Sequence, residues 1–207
     1  MFTIMEDCSP YYIRFTHDGI DKVINDCLKF IEGNVFPNKF THHIFLDHQA
    51  KQILSNTCMT NLFDFNKKRV SLFVTQPGFY YRPHKDGPDH RFSINYTVKI
   101  LDDKCVTSWY SDEELKNYPI DKLGGWSREA KGFIKDKHTP LKSMIAQQGE
   151  IILFNTDIFH DFDNNSLNDR MVLTLRVVNP GAMYFDDAKN ILFGGVAQLG
   201  ERLLCKQ

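Results

Sequence analysis

Between Asp18 and Ile31 the apolar residues Ile20, Val23, Ile24, Cys27, Leu28 and Ile31 recur at helical spacing, which gathers them on one stripe and leaves the intervening polar residues to water. The pattern predicts an amphipathic helix with Asp18 as N-cap and Gly33-Asn34 as its stop. A shorter helical pattern covers residues 49–54 and ends near Asn56. From Arg69 the period changes. Residues 69–75 are β-branched and aromatic and are broken by Gln76-Pro77-Gly78, so strands begin here. Residues 92–98 alternate, setting Arg91, Ser93, Asn95 and Thr97 opposite Phe92, Ile94 and Tyr96. Further strands read at 106–110, 141–146, 150–154, 158–160 and 170–178, with turns at Gln148-Gly149, around Asp163 to Asp169, and at Asn179-Pro180-Gly181. The last two strands read as the arms of one hairpin. The charged segment 111–138, with Gly124-Gly125, reads as a lid or insertion outside the strand framework. Helices followed by antiparallel strands predict a mainly β fold, a sandwich or barrel with core at about 69–180 and helical support at about 1–60.

Composition narrows this picture only a little. A chain of 207 residues has length for one domain with a full core, and 42% hydrophobic with 25% charged residues is ordinary for a globular protein. Lys plus Arg total 25 against 26 Asp plus Glu, without a block of like charge, so nucleic acid is not an expected partner. Cys8, Cys27, Cys58, Cys105 and Cys205 are odd in number, widely spaced and without a Cys-x-x-Cys pair, which favours a reducing compartment. Glu6 and Asp7 stand where a secretory signal needs basic residues, and no run approaches the ~20 apolar residues of a membrane span. The expectation is a cytoplasmic protein with no membrane partner. Oligomeric state is not legible.

The chemistry centres on Tyr80-Tyr81-Arg82-Pro83-His84-Lys85-Asp86-Gly87. On an extended strand His84 and Asp86 project to the same side and Lys85 to the other. A metal needs a third donor, and the downstream candidate is His160. Two histidines and one carboxylate on one face of a metal leave the remaining positions open, the arrangement suited to non-haem Fe(II) oxygenases. His90 and His138 lack a same-face carboxylate at spacing two, Asp161 points away from His160 on a strand, and the adjacent pair His42-His43 faces opposite ways and reads as structural. The competing reading makes His84 and His160 buried or turn histidines and Asp86 the start of a turn with Gly87. Arg170 opens a strand ten residues after His160, and its planar fork can hold a carboxylate by two parallel hydrogen bonds that lysine cannot reproduce. Thr174 and Arg176 share its strand face, Arg176 as the rival clamp. Asn95 is a further contact for a small acid. Trp109, Tyr110 and Arg82 are candidates for the substrate wall, with aromatic pairs on strands more often core.

The series His84-x-Asp86, then Gly149-Glu150-Ile151-Ile152-Leu153-Phe154-Asn155 leading to His160, then Arg170, resembles the 2-oxoglutarate- and Fe(II)-dependent dioxygenases, most of all small members from phage and marine bacterial genomes. The resemblance runs from about residue 69 to 178. It implies a double-stranded β-helix, the jelly-roll or cupin-like barrel. It also implies Fe(II) held by His84, Asp86 and His160, chelated by 2-oxoglutarate whose far carboxylate Arg170 holds. The implied activity consumes O2, releases succinate and CO2, and hydroxylates a small metabolite or peptide side chain. Two other readings stay open: a barrel that binds a metal or small acid without turnover, and a cupin-type enzyme independent of 2-oxoglutarate, for which Arg170 is dispensable.

Residues 194–207 differ in character. Val196 to Gln207 resembles a translated transfer-RNA gene: codons can be chosen for it that form a D-stem and, after it, an anticodon arm for alanine. The expectation is a dioxygenase domain over 1–193 and a tail without selected function. The competing reading is a short amphipathic helix interrupted by Gly200.

Overall fold

The structure, a computed structural model, describes residues 2–55, 57–63, 65–86, 91–123, 127–177 and 184–192. The loop after Asp86, Gly124-Gly125 and the whole 194–207 tail lie outside the described residues. In chain order the elements are β1 (Phe2–Cys8), β2 (Tyr12–His17), α1 (Ile20–Ile31), β3 (Phe40–Ile44), α2 (Asp47–Leu54), β4 (Phe65–Thr75), β5 (Phe79–Asp86), β6 (Phe92–Lys99) and β7 (Cys105–Tyr110). There follow α3 (Asp112–Leu115), β8 (Ile120–Leu123), β9 (Ser127–Ala130), β10 (Lys142–Ile145), β11 (Ile151–Asn155), β12 (Phe159–Asn164) and β13 (Arg170–Val177).

The strands form two sheets, a seven-stranded one in the order β1-β2-β11-β6-β13-β4-β3 and a six-stranded one in the order β10-β7-β12-β5-β9-β8. From β4 to β7 the chain alternates between the sheets, and after β10 it does so again through β11, β12 and β13. This is the double-stranded β-helix, a jelly roll. Alternation along each strand sorts its two faces. Leu173 and Leu175 of β13, Ile94 and Tyr96 of β6 and Leu72 and Val74 of β4 join Val23, Ile24 and Cys27 of α1 in the main core outside the barrel. Arg170, Thr174 and Arg176 of β13 and Ser93 and Asn95 of β6 face the space between the sheets.

Four features depart from the sequence reading. The N-terminal region is not helical support alone: β1 and β2 extend the large sheet beyond β11, and β3 forms its other edge beside β4. Short apolar runs such as Tyr12-Ile13 do not declare a strand by period. Helix α1 starts at Ile20 behind Gly19, whose φ of 89° suits glycine, and carries no side-chain cap, so Asp18 is not the N-cap. The segment 111–138 is not outside the strand framework, because β8 and β9 extend the small sheet and β9 pairs with β5 at His84↔Glu129 and Asp86↔Ser127. Finally, β12 and β13 are not a hairpin. They belong to opposite sheets, so His160 and Arg170 approach the interior from opposite walls. No described helix is long and apolar enough to cross a membrane.

Candidate active site

Strands β5 and β12 pair with His84 opposite His160. Beyond that pair β5 carries one more residue than β12 before Tyr81 meets Phe162. This bulge sits at Arg82-Pro83, where a proline has no N–H to give a ladder. It lets Tyr81 and His84 both face the interior although they are three apart. The imidazole centroids of His84 and His160 are 4.3 Å apart, Asp86 Oδ1 is 4.0 Å from His84 Nε2, and the three ligand atoms lie within 4.8 Å of one another. His84 Nδ1 lies 2.9 Å from the Arg82 carbonyl and His160 Nδ1 2.9 Å from the Ile158 carbonyl. A carbonyl only accepts, so each Nδ1 carries the proton and each Nε2 turns a bare lone pair toward the cluster. Burial lowers the pKa of both histidines, that of His160 to about 3 with His84 beside it as a further cause. Both are neutral at physiological pH, the form that ligates metal. Arg176 Nη2 stands 3.6 Å from Asp86 Oδ2.

Behind His160, Asp161 is turned to the other face. Its carboxylate accepts from Tyr110 Oη at 2.8 Å, Tyr80 Oη at 3.1 Å and the Ser108 N–H at 3.0 Å. Burial raises its pKa against the pull of these donors. The network ties β12 to β7 and β5 and so holds the backbone that presents His160.

The cluster opens on a cavity of about 540 Å³ between the sheets. Arg170 lies on its wall with the guanidinium carbon 3.9 Å over the Phe162 ring and with a sealed Nε that has no hydrogen-bond partner. Burial lowers its pKa to about 10, which leaves it charged. Thr75, opposite it in register on β4, likewise has a sealed Oγ1 without a partner. Thr174 pairs with Asn95 nearer the histidines, and Asn95 Oδ1 is also unpartnered. Sealed polar atoms around a cation are costly unless an anion fills the space. The lining therefore fits a molecule with a carboxylate at the Arg170 end.

Of the residues singled out in the sequence, His84, Asp86, His160, Arg170, Asn95, Thr174 and Arg176 all line this cavity. Trp109, Tyr110 and Arg82 do not. Trp109 is fully buried, stacks on Tyr12 at 5.3 Å, lies tilted against Phe154 at 4.9 Å, and donates its N–H to the Asn155 carbonyl at 3.3 Å. It fills the barrel behind Phe154. Tyr110 is engaged with Asp161 and packs on Phe133 at 5.1 Å, and Arg82 pairs with Glu129 at 3.5 Å on the rim. Trp109→Ala is accordingly expected to destabilise the fold by about 3–5 kcal/mol, the range for emptying a large aromatic site, read as a fall in the urea midpoint. An unchanged midpoint would remove Trp109 from the core. The sequence reading missed Phe40, His42 and Ile44 of β3, Phe73 of β4, and Phe79 and Tyr81 of β5, which complete the lining. Of the His42-His43 pair, His42 faces the cavity and stacks on Phe73 at 4.5 Å, while His43 turns to Phe45 at 5.0 Å. Alternation says that the two diverge, not which side is the cavity.

Fold and site define a jelly-roll protein with a two-histidine, one-carboxylate cluster at one end of an internal cavity. No protein-family model matches the sequence, and no curated protein matches it significantly. Solved structures do. HygX from Streptomyces hygroscopicus with nickel and 2-oxoglutarate bound is similar over 82% of this chain and 83% of its own, with TM-score 0.54 and 9% identity. HygX with nickel, 2-oxoglutarate and hygromycin B gives TM-score 0.55 over the same shares, again at 9% identity. The epimerase SnoN, in complex with Fe3+, alpha ketoglutarate and nogalamycin RO, gives 0.51 at 8% identity over 81% of this chain and 78% of its own. At such identities the likeness is one of fold.

Proposed function

We propose that the protein is an Fe(II)- and 2-oxoglutarate-dependent oxygenase that hydroxylates a C–H bond of a small molecule or peptide side chain. The observation that carries this is the pairing, across one cavity, of His84, Asp86 and His160 at one end with the unpartnered Arg170 Nε and Thr75 Oγ1 at the other. Nickel or iron with 2-oxoglutarate in HygX and SnoN supports it. The cytoplasm and the small phage or marine bacterial type belong to the same proposal.

His84 Nε2, His160 Nε2 and an Asp86 oxygen would hold the metal from one side, leaving adjacent positions for the cosubstrate. Bound iron supplies the oxygen chemistry, in which 2-oxoglutarate, O2 and R–H become succinate, CO2 and R–OH. The chain supplies placement. The two backbone carbonyls lock the histidine tautomers, and Arg176 steadies Asp86 from its second oxygen. Arg170 grips the distal carboxylate with its fork, and Phe162 keeps the guanidinium flat beneath it. Thr75 gives that carboxylate a further donor, and Thr174 and Asn95 flank its path. Arg176 already faces Asp86, which supports Arg170 as the clamp. Half-buried rings on the remaining wall keep water from the reacting centre.

The test is anaerobic calorimetry of 2-oxoglutarate with and without Fe(II), then admission of O2. Metal-dependent binding followed by succinate formation is expected. No metal-dependent binding refutes the proposal, and binding with no succinate leaves a non-catalytic metal and acid binder instead.

A further inference from the structure

Once the metal cluster and Arg170 are assigned, the rest of the cavity wall has a definite character. Its other charged side chains among the described residues are already engaged: Arg176 faces Asp86 at 3.6 Å, and Asp161 is turned outward to Tyr110, Tyr80 and Ser108. Burial is the leading cause that lowers the His42 pKa, which leaves a neutral imidazole there. The wall thus offers no spare charge. What it offers instead is an array of nearly parallel rings. His42 lies on Phe73 at 9° between planes, Phe73 on Phe40 at 24°, Phe40 on Phe79 at 14° and Phe40 on Tyr81 at 6°. Aromatic pairs adopt edge-to-face contacts as readily as offset stacks, and elsewhere in this chain they do, as in Phe2–Phe15 at 73° and Phe30–Phe45 at 64°. Here every plane is aligned. Phe40, Phe73, Phe79 and Tyr81 are half-buried and His42 is exposed at the cavity's edge, and Tyr81 brings the array to 4.2 Å from the His84 ring.

We infer that the substrate is an uncharged molecule with a planar aromatic or conjugated ring, stacked on the Phe73–His42 end of this array. The inference rests on the oxygenase reading above and narrows it. Zwitterionic amino acids, phosphorylated metabolites and charged peptide side chains leave an unpaired charge against this wall, which is costly wherever the rings displace its water. A flat neutral ring meets aligned partners and loses no solvation of charge.

Protein loaded with Co(II) and 2-oxoglutarate under argon tests it by calorimetric titration with three probes on one carbon skeleton. These are 2-naphthylmethanol, neutral and planar; decahydro-2-naphthylmethanol, neutral and puckered; and 2-naphthoate, planar and anionic. The planar alcohol is expected to bind about tenfold more tightly than the puckered one, the upper scale of a stacking contact, and about tenfold or more tightly than the anion, the scale of one unpaired charge. Equal affinity for planar and puckered alcohols, or preference for the carboxylate, overturns the inference. In Phe73→Leu and His42→Leu the planar preference is expected to fall below about threefold, with 2-oxoglutarate affinity kept. A preference that survives both overturns the platform, and if a variant does not fold the wild-type series decides. Failure of Co(II) or 2-oxoglutarate to load is seen before any probe is added and overturns the oxygenase reading, and this one with it. Loading with no planar preference overturns this one alone.

Discussion

Arg170→Met is expected to weaken 2-oxoglutarate binding by about a hundredfold or more while metal binding stays intact, because truncating one partner of a desolvated charge pair costs about 2–5 kcal/mol. The side chain sits on Phe162 at 3.9 Å with its Nε sealed and unpartnered, so the grip it provides is preorganised and lysine would not restore it. Methionine keeps the volume and drops the charge. The ligand-free protein should therefore be no less stable than wild type, and its thermal midpoint is expected to hold or rise, since an uncompensated buried cation is itself a cost. This pair of outcomes, weaker ligand and undiminished fold, separates a clamp from a structural arginine. If affinity for 2-oxoglutarate is unchanged, Arg170 is not the clamp.

His84→Ala is expected to cost the second large effect, a loss of metal affinity of more than about a hundredfold. Even outer partners of a metal ligand are worth about 10–100-fold, and His84 is a ligand itself in this reading. The alanine also loses the Nδ1 bond to the Arg82 carbonyl, but the bulge at Arg82-Pro83 is set by Pro83 and by the β5–β12 register, so it should persist and the circular dichroism should match wild type. Asp86→Asn is the companion, because it keeps size and removes the charge that meets the cation. Titration with Co(II), followed by absorbance, reads both. Retained tight binding in His84→Ala would place the metal elsewhere, and the candidate site with it.

Much of the site was legible because its residues lie on strands with a simple local rule. His84 and Asp86 share a face, and so do Arg170, Thr174 and Arg176, whatever the strands pair with. Trp109 and Tyr110 show where that rule stops. Both lie on a correctly read strand, yet Trp109 plugs the barrel behind Phe154 and Tyr110 turns to Asp161. A large aromatic next to a site and one behind it have the same sequence signature. The missed wall is the same lesson from the other side. Phe40 and His42 come from an edge strand in a region read as loop and helix, and nothing local ties them to β5.

By itself the sequence determines the direction of each side chain along its strand, the ligand types, and the alternation that divides β6 and β13 into a core face and a polar face. These are local properties with a period of two, written into the backbone geometry of any extended segment. Only the tertiary structure decides which strands are neighbours. It sets β12 beside β5 so that His160 meets His84, sends β13 to the opposite sheet so that Arg170 looks back across the cavity, and brings β3 alongside β4. Those pairings depend on contacts between distant parts of the chain, through the burial of whole faces against α1 and between the sheets. No single stretch of residues encodes them.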